Sequence, residues 1–241
     1  MVANLAFTLD QLTGRSREHL AQLANPVCAL HKRVVSPFLT LRAAAAAEGI
    51  DLVAFSSFRD FDRQLAIWNG KFRGERPVQD RAGRPLEMAR LSPSEKVEAI
   101  LWWSALPGAS RHHWGTDFDV VDAAAMPAGY QLQVIPAEYL QGGPFHRLTT
   151  WLDGHMHDFG FFRPYATDRG GVQPEPWHLS HAAVADAAAA EFSLEGLRRV
   201  LADADIEGKP EVLAALDRTY ENYVVNVDRP PVPALLAPAL C

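Results

Sequence analysis

The sequence predicts an α+β fold in which a small, largely antiparallel sheet is flanked by helices and a cleft opens on the sheet. Three observations carry that prediction. Short segments with strand patterning occur at residues 50–55, 116–121, 130–135 and 174–179. Longer stretches with apolar residues at helical spacing lie between and after them, in an order that lacks a regular strand-helix-strand repeat. A length of 241 residues, 48% of them hydrophobic, is enough for one substantial buried core.

Taken in order, residues 16–33 carry Leu20, Leu23 and Leu30 with Pro26 between them, which predicts a short helix, a break and a second turn. Ser36 and Pro37 then read as the cap and first residue of a helix through Phe38, Leu41 and Ala45, closed by Gly49. Residues 50–55 predict a buried strand, followed by Ser56-Ser57-Phe58-Arg59 and a helix to about Trp68. Residues 69–91 hold Gly70, Gly74, Pro77, Gly83 and Pro85 among many charges and predict a long polar loop, of the kind that serves as a substrate-covering flap. Ser94 opens a further helix that ends before Pro107-Gly108. Strands are expected at 116–121 and 130–135, then a helix through Phe145, Leu148, Trp151, Leu152, His155 and Phe159 that stops at Gly160, then a short strand at 174–179. Beyond His181 the stripes Leu194, Leu197, Val200, Leu201 and Leu213, Leu216, Tyr220, Tyr223 predict helices, and Pro230, Pro231, Pro233 and Pro238 predict an extended tail from Arg229. These elements divide the chain into an N-terminal helical flank, 1–36, a catalytic body, 37–181, and a C-terminal helical extension with a proline-rich tail, 182–241.

Charge and composition exclude several function classes. A formal net charge of -6 argues against a nucleic-acid partner, which calls for a basic face. Two cysteines, Cys28 and the terminal Cys241, make no disulfide framework and fit a reducing compartment; Cys28 reads as a small buried apolar residue. The first ten residues lack the basic segment of a secretion signal and no run of about 18 apolar residues occurs, so a cytoplasmic chain without a membrane span is expected.

The chemistry concentrates in two clusters, one from Ser110 to Asp119 and one from Glu175 to His178. His112, Asp119 and His178 are nitrogen and oxygen donors of the type that holds Zn²⁺ with one position open, and Glu175 is a carboxylate close to one of them. His112 and Asp119 are seven residues apart and would face opposite ways on one straight strand, so the chain must bend between them, with Gly115 as the pivot. Pro176 supplies the corresponding kink between Glu175 and His178. Taken alone, the triple is a weak metal signal, and two satisfied core or surface histidines are the commoner reading of it.

Ser110, His112, Gly115 and Asp119 in the pattern Ser-x-His-x-x-Gly-x-x-x-Asp, followed by Glu175-Pro176-Trp177-His178, resemble the zinc D-Ala-D-Ala carboxypeptidases of the VanY type, a group that includes lysostaphin-like peptidases and the hedgehog signalling domain. Ser56-Ser57-Phe58-Arg59 with Gln64 resembles a third motif of that family, and the three occur in family order between about Pro37 and His181. The resemblance implies Zn²⁺ on His112, Asp119 and His178, with Glu175 as general base toward a water. It implies that Arg59 clamps the substrate's terminal carboxylate, with Ser110 and Gln64 as polar neighbours orienting that end. The implied substrate is a small peptide of cell-wall type ending in a D-residue. A D,D-dipeptidase or L,D-carboxypeptidase on the same scaffold is the second expectation, and a zinc-stabilised binding module without turnover the third; an intact Glu175 argues against that last one.

The chain departs from the family pattern at three positions. Asp117 stands where a small residue is usual, sharing a strand face with Asp119, and is expected to be solvated or paired with a base such as Arg111. Ser57 replaces a glycine and Phe58 a tyrosine. Among the other histidines, His113 should face away from the site and His155 and His157 should be structural or exposed, while His181 is the best further candidate for a supporting role. Trp114 and Trp177 flank ligand positions and read equally as pocket walls or as core.

Overall fold

The computed structural model describes residues 5–230 and has the α+β architecture that the sequence predicts. The elements are α1 (Leu9–Leu12), β1 (Leu20–Ala24), β2 (Val27–His31), α2 (Val35–Ala47), β3 (Leu52–Ser56), α3 (Phe61–Phe72), α4 (Pro93–Leu101), β4 (Asp117–Asp122), α5 (His146–His155), β5 (Phe161–Phe162), β6 (His178–His181), α6 (Ala182–Glu191), α7 (Leu194–Asp203), α8 (Lys209–Ala214) and α9 (Leu216–Thr219). Strands β3, β4, β6 and β5 form, in that order, a four-stranded sheet with every pairing antiparallel. The proline-rich tail lies outside the described residues apart from Arg229 and Pro230, and so does Cys241.

The central strand β4 shows how the fold separates packing from chemistry. Successive strand residues face opposite ways, and Phe118 and Val120 accordingly enter the main core, where Phe118 meets Phe38 and Phe161 edge-on at 5.0 and 5.3 Å between ring centroids. Burying one such phenylalanine stabilises the fold by roughly 2 to 3 kcal/mol. Asp117, Asp119 and Val121 take the other face, where Val121 joins a small cluster with Tyr139, Phe145 and Trp177. All six residues of β4 are buried, because helices cover one face and the site with its loops covers the other.

Helix boundaries follow local chemistry. Asp60 caps α3 by accepting from the Arg63 amide at 2.9 Å, which ends the Ser56-Arg59 segment and starts the helix immediately after Arg59. Ser92, rather than Ser94, caps α4 in a reciprocal box with Glu95. Helix α2 begins at Val35, so Ser36 and Pro37 lie inside its first turn and Ser36 is not the cap; Gly49, at φ +74°, closes it as expected. Helix α3 runs on to Phe72, one turn past Trp68, because Asn69 and Gly70 are held inside it, and the polar loop begins only after it.

Two expectations are corrected. Residues 20–31 form the hairpin β1-β2 instead of a broken helix: Asn25-Pro26 makes the reversal, and Cys28 and Leu30 point inward on alternate positions, the period of a strand. Residues 130–135 form no strand, because Glu138 takes their hydrogen bonds, accepting from the Gln133 and Ile135 amides and from the Tyr130 hydroxyl. Leu12 and Leu30 of the N-terminal stretch and Leu197 and Leu216 of the C-terminal helices share one buried cluster with Leu52 and Leu179.

Candidate metal centre and active site

Strand register alone brings two of the predicted ligands side by side, because Asp119 of β4 lies directly opposite His178 of β6. On the other edge of β4 a bulge between Ala54 and Ser56 places Ser56 against the same Asp119, so the Ser56-Arg59 segment leaves the sheet at the site. His112 sits in a 3₁₀ turn, Arg111–Trp114, that ends at Gly115 with φ +67°, and this left-handed residue is the bend through which His112 returns to meet Asp119. Its carbonyl accepts from the His31 amide at 2.8 Å, which fastens the β1-β2 hairpin to the pivot.

One donor atom from each of His112, Asp119 and His178 lies within 4.8 Å of the others. His112 Nε2 is 3.4 Å from Asp119 Oδ2, and His178 Nδ1 is 3.3 Å from Asp119 Oδ1. The outer nitrogens are already committed. His112 Nδ1 donates to the Ser57 carbonyl at 2.9 Å, leaving the Nε2 lone pair free. His178 Nε2 lies 3.0 Å from Asp117 Oδ1, leaving Nδ1 toward the centre. Asp119 Oδ1 is buried without a hydrogen-bond partner among the described residues. Two imidazole nitrogens aimed inward beside an orphaned carboxylate oxygen are a donor set that fits a zinc ion with an open position.

The groups behind the triad set its electrostatics. Asp117 is fully buried, is ion-paired to Arg111 Nε at 2.7 Å and accepts from the Thr116 and Ser180 hydroxyls at 2.5 and 3.1 Å. The solvated alternative for Asp117 is therefore excluded. Burial pushes its carboxyl up, but Arg111 and these hydrogen bonds outweigh that and hold it below the usual carboxylate range. Burial lowers His112 to about 3, which keeps that imidazole neutral. Burial also pulls His178 down, but the carboxylates of Asp117, Asp119 and Glu175 gathered around its ring outweigh that and hold it well above the usual histidine range. Burial raises Glu175, whose Oε2 lies 3.2 Å from His178 Nδ1. The Pro176 kink works as a turn, in which the His178 amide donates to the Glu175 carbonyl at 3.1 Å and brings both side chains to one side.

Arg59 occupies the opposite wall. Its backbone is fixed from both histidines of the turn, the amide donating to the His112 carbonyl at 3.2 Å and the carbonyl accepting from His113 Nδ1 at 2.5 Å. Its guanidinium donates to Gln64 Oε1 at 2.8 Å and reaches Ser56 Oγ at 3.3 Å, and no carboxylate forms an ion pair with it among the described residues. Arg59, Ser110, His112, Asp119, Glu175 and His178 all line one cavity of about 380 Å³.

Gln64 is not on that surface: it is fully buried behind Arg59, tied to the Ala105 carbonyl at 2.7 Å, and can touch a ligand only through the guanidinium it holds. His181 also falls outside the cavity, because three residues along β6 put it on the sheet face opposite His178, against Phe161. His113 faces away as expected yet is wholly buried, its Nε2 accepting from the Gly108 amide at 3.1 Å. Trp114 belongs to the core, whereas Trp177 lines the cavity. Arg76, Pro77 and Gln79 of the polar loop line it too, but no residue of the C-terminal helices does. Tyr165, Lys71 and Trp103 complete the walls and were not found from the sequence; each stands outside the motifs, and only Lys71, seven residues after Gln64 on one helix, carries a periodicity that could have found it.

Residues 28–184 match the family model described as VanY, D-alanyl-D-alanine carboxypeptidase. The chain belongs to the VanY family. A Haemophilus influenzae protein described only as uncharacterized is 46% identical over 105 residues, 42% of this chain and 72% of that one. The D-alanyl-D-alanine carboxypeptidase of Enterococcus faecalis is 28% identical over 154 residues, covering 62% of this chain and 47% of its own length. Among solved structures, VanYB in complex with D-alanine-D-alanine shares the fold with a TM-score of 0.50 at 24% identity, over 75% of this chain and 87% of that one. Membership of the VanY family makes the protein a peptidase-type hydrolase. No helix among the described residues is long and apolar enough to cross a membrane.

Proposed function

We propose that this VanY-family protein is a zinc-dependent metallo-carboxypeptidase that hydrolyses the C-terminal peptide bond of small cell-wall peptides ending in D-alanine. One observation carries the reading: a guanidinium without a carboxylate partner, Arg59, shares a cavity with a three-donor metal centre and a buried glutamate. His112, Asp119 and His178 would hold the zinc, which when bound supplies Lewis acidity toward the scissile carbonyl and acidifies water.

The chain's own residues supply the rest. Arg59 receives the terminal carboxylate of the substrate through paired N–H donors, and Gln64 and Ser56 keep the guanidinium in plane for it. A clamp of this kind selects the end of a peptide over its middle. Glu175 takes the proton of the attacking water and delivers it to the departing amine, and its upward shift through burial brings it closer to the working pH of a general base. Tyr165 packs edge-on against His178 with ring centroids 5.1 Å apart and, with Trp177, keeps solvent from that side.

The test is zinc content together with D-alanine release from D-Ala-D-Ala dipeptide and pentapeptide substrates, comparing wild type with Glu175→Ala. The wild type should bind zinc and release D-alanine, and the variant should keep zinc while losing roughly 10²- to 10⁴-fold in kcat. A protein that binds no zinc overturns the proposal. Zinc and peptide binding without turnover by the wild type would establish a binding module instead.

A further inference from the structure

The substrate pocket holds a second half-buried cation that the clamp does not require. Lys71 lies on the face of α3 that also carries Gln64 and Ile67, and its Nζ donates to Ser104 Oγ at 2.6 Å. No carboxylate pairs with it among the described residues, as none pairs with Arg59. Lys71 stands two helical turns beyond Gln64, the residue that holds Arg59, an axial distance on the order of 10 Å. Ser104 is the chain neighbour of Ala105, whose carbonyl holds Gln64, so the ammonium stands beside the anchor of Arg59 on a hydrogen bond of its own.

Charge withdrawn from water without a counter-ion is unfavourable, and it is retained where a ligand supplies the counter-ion. The acidic groups in the cavity, Asp119 and Glu175, are taken up around His178. Burial, reinforced by the charge of Arg59 and only partly offset by Glu175, lowers Lys71 to about 8, in keeping with an ammonium that has no paired carboxylate. Arg76, at the exposed mouth of the same cavity, adds positive potential without contributing a carboxylate.

We infer that Lys71 and Ser104 form a second anion subsite, which accepts a side-chain carboxylate on the C-terminal residue of the peptide while Arg59 holds its main-chain carboxylate. The inference rests on the carboxypeptidase reading, because Arg59 defines which end of the peptide lies here. Lys71 shares the α3 wall with Arg59's anchor, so it addresses the residue that leaves, not the residues upstream of the scissile bond. Beyond the D-alanine-terminated peptides of that reading, the subsite extends the substrate class to peptides whose last residue is acidic, of the aspartate or glutamate type.

The experiment measures binding without turnover, on zinc-loaded Glu175→Gln protein, of two peptides identical except for a terminal D-glutamate or its neutral isostere D-glutamine. D-glutamate should bind at least about tenfold more tightly, as expected for a charge-assisted contact in a dry site. That ratio should fall to about one when Lys71→Met is added and survive in Lys71→Arg. Equal affinities with Lys71 present, no binding of either peptide, or a ratio that persists in Lys71→Met overturns the inference. So does a Lys71→Met protein that loses both peptides alike, since Lys71 would then serve the shared main-chain carboxylate. If Lys71→Met does not fold, the comparison of the two peptides with Lys71 in place still decides. Turnover of a D-alanine-terminated peptide by the protein with Glu175 intact is followed separately, so failure of the carboxypeptidase reading is distinguishable from failure of the subsite.

Discussion

Asp117 Oδ1 lies 3.0 Å from Nε2 of His178, and the same carboxylate is ion-paired with Arg111. This carboxylate orients the imidazole by occupying its outer nitrogen and leaves the inner one facing Asp119. Asp117→Asn keeps the shape and weakens the hold, so zinc affinity, measured by competition with a chelator, should fall roughly 10- to 100-fold with the fold intact. Asp117→Ala should in addition cost stability, about 3 to 5 kcal/mol in a denaturant titration, because Arg111 is left buried without its partner. Unchanged zinc affinity in both variants would show that the pairing has no part in metal binding.

Arg59 makes a different prediction, one about the substrate. Arg59→Ala should raise KM and lower kcat/KM on the order of 100-fold, and replacing the terminal carboxylate of the peptide by an amide should do the same to the wild type. Combined, the two changes should cost little more than either alone, because both remove one contact. Arg59→Lys should not restore activity, since an ammonium cannot bond Gln64, Ser56 and a carboxylate in one plane. Fully additive losses would place the clamp elsewhere.

Gly115 is expected to be intolerant even of alanine. A Cβ there would meet the Leu20 side chain at 2.4 Å and the His31 amide nitrogen at 2.8 Å, and the residue's φ of +67° is costly for any side chain. Gly115→Ala should lower stability by more than about 1 kcal/mol and weaken zinc binding together, since the hairpin contact and the return of His112 share this residue. A shift in thermal midpoint with unaltered metal affinity would separate the two roles.

Acid should destabilise the protein partly through His31. Burial, with neighbouring His19 and Arg33, lowers it to about 4, and its Nδ1 accepts from the Arg33 amide at 3.1 Å, a bond that protonation removes. The folded state therefore keeps this ring neutral while the unfolded chain binds a proton near pH 6.5. The contribution is complete above pH 6.5 and is lost as pH falls from there toward 4, with a slope of at most about 1.4 kcal/mol per pH unit. His31→Phe, which preserves the ring packing against Phe7 and His19, should flatten the denaturation profile in that window. A slope identical to wild type would assign the acid sensitivity to other groups.

By itself, the sequence determined the elements whose signal is local. Helix α2 with its glycine stop, helix α5 and the 3₁₀ turn after it that ends at Gly160, strands β3 and β4, the bend at Gly115 and the kink at Pro176 all follow from periodicity, caps and backbone restriction within a few residues. The motif residues were named through their resemblance to the VanY pattern, and parity added that the chain must bend between His112 and Asp119 and between Glu175 and His178. The hairpin at 20–31 is hidden because Leu20, Leu23 and Leu30 fit a helical spacing, while its strand period is carried only by Cys28 and Leu30, and pairing across Asn25-Pro26 and packing against Gly115 decide for the hairpin. The loop at 130–135 was misread because its alternation is genuine, while its amides are taken by Glu138, a partner the pattern does not encode. The tertiary structure alone decided that Asp117 backs His178, that Gln64 sits behind Arg59, and that Lys71 and Tyr165 line the same cavity. These relations depend on strand register and on side chains meeting across long stretches of chain, and no local propensity carries that information.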